Sequence, residues 1–324
     1  MLELAFSTED VMRIRFAFSP LWETVVSVRA LRQPARWALH LPWVRRARAA
    51  LDEAGVDPGP LLDLVPAPTR YIPDFLTPPP TTPMPDFAAE LAAMRATGAE
   101  QVRTDLGRMP GGGPFAVRLA ADPAAGLAEL ADVVEAYWRV ALEPYWPRIR
   151  GLLEGEIAYR ARRYADGGAY LLFDDLHKEV SWADGRLYVR HKHWHDSRSL
   201  DGAGLVLVPS VFSWPSVYSI SQRPWQPTLL YPPRGVATVW ESGTAAGPEA
   251  LAGVLGRARA ALLAELTAPA STTELSRRTG LTAGAVSQQL ALLRSAGLVV
   301  PHRAGRSVLY ARTGIADALL SAAS

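Results

Sequence analysis

An α+β protein in two parts is what this sequence predicts: a mixed helical and β domain over residues 1–248, then a small basic domain over residues 249–324 in which two helices, a turn and a β hairpin follow one another. The length of 324 residues is about twice that of a typical single domain, so more than one core is the default. All ten tryptophans lie at or before Trp240. Charge divides near the same place. Residues 249–324 hold eight arginines against four acids, a net of +4, whereas the first 248 residues hold 26 bases and 28 acids, a net of −2. The formal +2 of the whole chain therefore hides a basic end, and a basic end raises the expectation of a nucleic-acid partner, because neutralising phosphates is the main source of such affinity. Ser242 to Pro248 (SGTAAGP) reads as the joint.

With 49% hydrophobic and 20% charged residues, the chain has the make-up of a soluble globular protein and too much apolar content for a disordered one. There are no cysteines, which excludes disulfides, thiolate catalysis, zinc knuckles and iron–sulfur ligation together and fits a reducing cytosol. Met1 to Asp10 carries acids and no base, so no secretory leader is expected. No apolar run approaches the ~20 residues of a membrane span. A cytoplasmic protein with no membrane partner is the expectation. The sequence contains no G-x-S-x-G, H-E-x-x-H or G-x-G-x-x-G, so neither an enzyme nor a cofactor is expected. Pro110-Gly111-Gly112-Gly113-Pro114 lacks the Lys-Ser/Thr of a phosphate loop and reads as a flexible loop, and Asp174-Asp175 reads as surface.

From the N-terminus, Met1 to Phe6 reads as a strand leading into a helix from Thr8, and Ser19-Pro20 is an N-cap and N1 pair opening a helix through Arg32. Trp43 to Ala54 and Asp86 to Ala96 carry helical patterns, with the proline-rich Thr77 to Pro85 as an extended loop between them. A longer helical zone runs from Ala124 to about Tyr164, broken near Pro144 and Pro147. The character then turns to β. Glu179 to Trp182 and Arg186 to Arg190 flank Ala183-Asp184-Gly185, a strong hairpin signal, and Gly204 to Val208, Val217 to Ser221 and Thr228 to Tyr231 are further strands.

If the hairpin strand continued, His191, His193 and His195 would share a face, and imidazoles beside a carboxylate such as Asp196 are zinc or nickel ligand types. No second cluster accompanies them, and side chains two apart on a strand rarely converge on one ion. A polar loop or strand edge is the stronger reading, and no metal is assigned. Trp138, Trp146, Trp182, Trp194, Trp214 and Trp225 either line an apolar effector pocket or form core.

In the basic domain, Arg257 to Leu266 is an Ala/Leu-rich helix closed by Pro269. Ser271-Thr272-Thr273-Glu274 has the spacing of a capping box and opens a helix over 272–279. Gly280 supplies the tight turn, Leu281 a buried plug and Thr282 the N-cap of a helix from Ala283 to Ala296. That helix puts Val286, Leu290 and Leu293 on one stripe, so Gly284, Ser287, Gln288 and Ala291 face away. After Gly297, Leu298 to His302 and Ser307 to Arg312 form a hairpin with Arg303 and Arg306 at its tip. Helix, turn, helix and hairpin in this order make a winged helix-turn-helix.

The run Leu275-Ser276-Arg277-Arg278-Thr279-Gly280-Leu281-Thr282, then Val286-Ser287-Gln288-Gln289-Leu290, Leu293 to Val299, Arg303-Ala304-Gly305-Arg306 and Tyr310 resembles the ArsR-type winged helix-turn-helix of bacterial repressors. Gln289 stands where that family usually has a histidine, and the family's cysteine metal motif is missing, so its metal sensing does not carry over. Upstream, Ser19 to Glu23, Leu205 to Phe212, Trp214-Pro215, Tyr231-Pro232 and Arg234 to Glu241 resemble a domain found in front of ArsR-type helices in actinobacterial regulators, and the preference for arginine over lysine fits a GC-rich genome of that kind.

The resemblance implies double-stranded operator DNA as partner. Ser287, Gln288 and Gln289 would lie at the major groove, Arg278 and Thr282 would meet phosphates, Arg294 would join this surface, and Arg303 and Arg306 would reach the backbone or minor groove. It also implies a homodimer, repression, and a first domain that dimerises and senses a small-molecule effector. Control by a protein partner, or an enzyme domain fused to a DNA-binding module, are the competing classes.

Overall fold

The computed structural model describes residues 1–66, 71–190, 196–240, 248–304 and 307–322. The chain divides into two compact units, Met1–Trp240 and Glu241–Ser324. The candidate joint, apart from Pro248, and the histidines at 191, 193 and 195 lie outside the described residues.

Among its described residues the first unit holds eight strands: β1 (Leu2–Ala5), β2 (Arg15–Phe16), β3 (Val180–Ala183), β4 (Arg186–Val189), β5 (Asp196–Ser199), β6 (Val206–Pro209), β7 (Tyr218–Ile220) and β8 (Thr228–Tyr231). They form two four-stranded sheets, ordered β3-β4-β1-β5 and β2-β6-β8-β7. The β3–β4 hairpin closes through Asp184 and Gly185 at φ +50° and +71°, the left-handed pair that a two-residue turn between twisted strands requires. Leu2 stands opposite Val189 in β4 and beside Asp196 in the parallel β5. In the second sheet β6 runs parallel to both β2 and β8, and β7 is antiparallel to β8.

That second sheet separates two cores. Val206, Val208 and Leu230 face a large helical core, while Leu207, Leu229 and Tyr231 face a smaller one shared with Leu2, Leu4 and Phe173. Strands covered on both faces need uninterrupted apolar runs, and Leu205-Val206-Leu207-Val208 and Leu229-Leu230-Tyr231 supply them.

The helices are α1 (Thr8–Met12), α2 (Pro20–Arg32), α3 (Leu41–Ala54), α4 (Gly59–Leu64), α5 (Phe87–Arg95), α6 (Ala99–Gly107), α7 (Pro114–Ala121), α8 (Pro123–Tyr137) and α9 (Trp146–Asp174). The Ser19 hydroxyl caps α2 by accepting from the Trp22 amide at 3.0 Å. The long helical zone is interrupted over residues 138–145 as its prolines imply, but α9 runs ten residues past Tyr164, bending at Gly167-Gly168, where Gly168 takes φ +62°. α4, α6 and α7 are short helices that the sequence pattern did not single out. Trp138 stacks on Phe87 at 4.6 Å and meets Trp146, Trp182 stacks on Phe173, and Trp214 and Trp225 pack against the large core. Trp138 is buried, and Trp146, Trp182, Trp214 and Trp225 are partly buried against the two cores; Trp194 lies outside the described residues.

The second unit contains α10 (Pro248–Leu255), α11 (Arg257–Glu265), β9 (Ala270–Ser271), α12 (Thr272–Thr279), α13 (Ala283–Ser295), β10 (Val299–Ala304), β11 (Ser307–Arg312) and α14 (Gly314–Ala322). Its sheet runs β10-β11-β9. Leu262, Leu263, Leu275, Val286, Leu290, Leu293 and Val299 are buried together at its centre. It is a winged helix-turn-helix.

Candidate nucleic-acid interface and a buried polar centre

The turn between α12 and α13 depends on Gly280, whose φ of +72° a side chain would resist. Thr282 caps α13 by accepting from the Ala285 amide at 3.2 Å, which leaves its hydroxyl hydrogen free to donate outward. Only the serine half of the predicted capping box forms. The Ser271 hydroxyl accepts from the Glu274 amide at 3.2 Å, but the Glu274 carboxylate pairs with Arg278 one turn on.

On α13, Val286, Leu290 and Leu293 are buried while Gly284, Ser287, Gln288 and Ala291 are exposed, so the outward face of its first half is small and polar. Gln289 is half-buried at its shoulder. Arg294 is exposed near the end of the helix, roughly 10 Å along the axis from Ser287 at 1.5 Å per residue. In the wing Arg303 pairs in register with Val308 and is exposed. Gly305 and Arg306 lie outside the described residues.

Residues 261–300 match the family model described as bacterial regulatory protein, arsR family. They form an arsR-family regulatory domain. Such a domain makes this chain a DNA-binding transcriptional regulator. Residues 96–237 match a family of unknown function (DUF5937). No curated protein and no solved structure matches the chain.

The arsR-family unit sorts its arginines into two groups. Arg278 is held by Glu274 and by the Glu265 carbonyl at 3.4 Å, Arg312 by Asp317 at 2.9 Å, and Arg259 by the Leu255 carbonyl. Arg257, Arg277, Arg294 and Arg303 are exposed and have no ion pair or hydrogen bond among the described residues. Sequence reasoning chose Arg278 over Arg277 for a phosphate. The signal that separates them is legible: Glu274 sits four residues before Arg278, the spacing of a helical ion pair.

The first unit contains a different kind of site. Glu23, Arg29 and His40 are all buried around the turn at Val211–Ser213. The Glu23 carboxylate accepts from the amides of Val211 at 2.6 Å and Phe212 at 3.1 Å and from the Ser210 hydroxyl at 3.1 Å. Arg29 donates to the Phe212 carbonyl at 3.2 Å and lies 4.3 Å over the Tyr218 ring. His40 Nδ1 accepts from the Trp240 indole at 2.7 Å. Burial pushes Glu23 up to about 7 against its hydrogen bonds and Arg29, and burial together with the Arg29 charge pushes His40 down to about 3. Arg29 Nη1, Trp37 Nε1 and His40 Nε2 are buried with no hydrogen-bond partner.

Two further groups of ionisable residues are structural ties. Glu156 and Arg160, both buried, pair at 2.6 Å on α9; Arg160 also holds Asp175, and Glu156 accepts from Arg234 beyond β8 at 3.1 Å. Asp174 lies 3.5 Å from Arg163. Asp74 and Asp105 share Arg108, and burial with their mutual repulsion pushes Asp74 up to about 7.

Proposed function

We propose that the chain is a cytoplasmic one-component regulator that binds operator DNA as a homodimer and changes its affinity when the first unit takes up a small molecule, with repression as its sign. The observation that carries the reading is the α13 face: Gly284, Ser287, Gln288 and Ala291 point outward from an arsR-family unit whose Arg257, Arg277, Arg294 and Arg303 have no side-chain partner among the described residues. Small residues let the helix approach base edges, and a glutamine can pair with adenine through N6 and N7. Ser287 and Gln288 are assigned to bases, with Gln289 beside them. Thr282, Arg277 and Arg294 are assigned to phosphates, and Arg303 and Arg306 to the backbone or minor groove. Arg278 supports α12 first and touches DNA second.

A homodimer fits the exposed apolar side chains of the unit's outer helices, Val254 on α10 and Ile315 and Leu319 on α14. For the effector, the unpartnered polar atoms of Arg29, Trp37 and His40 among aromatic rings have the composition of a ligand site.

Selection from a randomised duplex pool by the full-length protein tests the assignment. Two half-sites about 10 base pairs apart are expected, and Gln288→Ala should relax the choice at one position in each half-site. If the wild-type protein enriches no sequence, the reading fails.

A further inference from the structure

Between Thr24 and Leu51 the sequence contains six arginines and no acid. Arg29 is buried in the polar centre; Arg32, Arg36, Arg45, Arg46 and Arg48 are exposed. Arg32 donates to the Leu62 carbonyl at 3.0 Å, Arg48 to the Leu31 carbonyl, and Arg36 lies over the Trp37 ring at 5.4 Å. Arg32, Arg36, Arg45 and Arg48 form no ion pair among the described residues. Carbonyls and a ring orient these guanidinium groups without cancelling their charge. Arg32 and Arg48 line one shallow groove with Leu62 and Asp52, and Arg45 stands one turn before Arg48 on the same side of α3.

The stability of α3 does not account for this placement. Its arginines stand in the second turn and at the middle of the helix, while Asp52 and Glu53 stand in the last turn. A helix is stabilised by the opposite order, acids at its positive start and bases at its negative end. The placement gains nothing from either end of the helix, whose field fades within about a turn. It is also out of character for a domain whose overall balance is −2 over residues 1–248.

We infer that Arg32, Arg36, Arg45 and Arg48 form a second DNA-contacting surface, which grips the phosphate backbone outside the bases read by the winged helix. The inference rests on the reading of the second unit as a DNA binder. Once that unit is bound, flanking duplex is present at the high effective concentration of a tethered partner, so contacts too weak to act alone add to the total affinity. Arginine forks match phosphate oxygens, and each neutralised phosphate releases counterions, which makes the contribution measurable through salt.

The test uses the full-length protein and a 40-base-pair duplex of unrelated sequence, with fluorescence anisotropy between 50 and 300 mM NaCl. Arg36→Gln with Arg45→Gln and Arg48→Gln should lower the slope of log affinity against log salt by about 2 to 3 and weaken binding roughly tenfold or more at low salt. Arg36→Gln with Arg45→Gln keeps the Arg48 hydrogen bond to Leu31, so it guards against a folding defect and should give about two thirds of the slope change. Asp52→Asn should tighten binding. If the wild type binds and both arginine variants match it in slope and affinity, this surface is not a DNA contact. No binding by the wild type would overturn the winged-helix reading as well. Loss of binding to anionic vesicles by the triple variant, with an unchanged DNA slope, would assign the surface to a membrane and overturn the inference.

Discussion

The two units spend their charge in opposite directions. The buried polar and charged side chains among the described residues, from Asp10 to Thr228, lie in the first unit. The second unit buries an apolar set around Leu290 and turns outward four arginines that have no ion pair among the described residues. A buried ionisable group must be hydrogen-bonded or neutralised, so the first unit's stability is tied to particular partners and to pH. An outward guanidinium contributes little to stability and is available to a polyanion. The difference separates a unit whose polar chemistry is internal from one whose polar chemistry is turned to solvent.

The sharpest way to separate the units is to damage each core in turn. Arg160→Met removes the buried partner of Glu156, leaving it only the half-exposed Arg234, and should cost the first unit about 3 to 5 kcal/mol, read as a lower first-unit transition in calorimetry with the second unchanged. Leu290→Ala should do the converse, costing the second unit about 2 to 4 kcal/mol. A single transition shifted equally by both variants would show that the units do not unfold independently.

Titration should distinguish the units next. Glu23, Asp74 and Glu90 are each held near 7, mainly by burial and above their ordinary values. Their contribution is therefore complete below about pH 4 and is lost as pH rises through 7. His40, pushed down to about 3, works in the other direction: its contribution is present above about 6.5 and is lost as pH falls toward 3. Burial also raises Asp105 and lowers His177; four carboxyls outweigh two imidazoles, so the first unit's melting temperature should fall between pH 5 and pH 8, and Glu23→Gln should flatten that fall. An identical pH profile for the second unit would break the comparison.

The smallest expected effect belongs to the outward charges. Arg303→Ala should leave melting unchanged and reduce the salt slope of DNA binding by about 1 at every sequence, measured by anisotropy. Arg278→Ala, whose charge is already shared with Glu274, should change the slope less than Arg277→Ala does.

Much of this was legible in the sequence where the signal is local. Ser19-Pro20 opened α2, Asp184-Gly185 closed a hairpin, and the valines and leucines of 205–208 marked a strand buried on both faces. The helix-turn-helix was readable because its capping residues, Gly280 and the Val286, Leu290, Leu293 stripe fall within a few turns. Distant partners were not readable. β5 is the polar segment Asp-Ser-Arg-Ser, a strand only because β1 lies beside it, and β2 and β9 are two residues each. The burial of Glu23 follows from amides at 211 and 212, and nothing near Glu23 announces it. At the interface, the pairing of Glu274 with Arg278 was present in the spacing, whereas the exposure of Arg277 required the fold.

The register of β1 bears on how the chain is made. Leu2 completes its sheet against Val189 and Asp196, so β1 must wait for most of the first unit to be synthesised before it finds its partners. Contacts of such long sequence separation fold slowly and leave apolar segments exposed meanwhile. Leu2 and Leu4, the run from Leu205 to Val208 and the segment Leu229 to Tyr231 would share that interval, whereas the winged helix assembles from neighbours. Chaperone dependence during synthesis should therefore belong to the first unit, and a fragment ending before β4 should aggregate rather than fold.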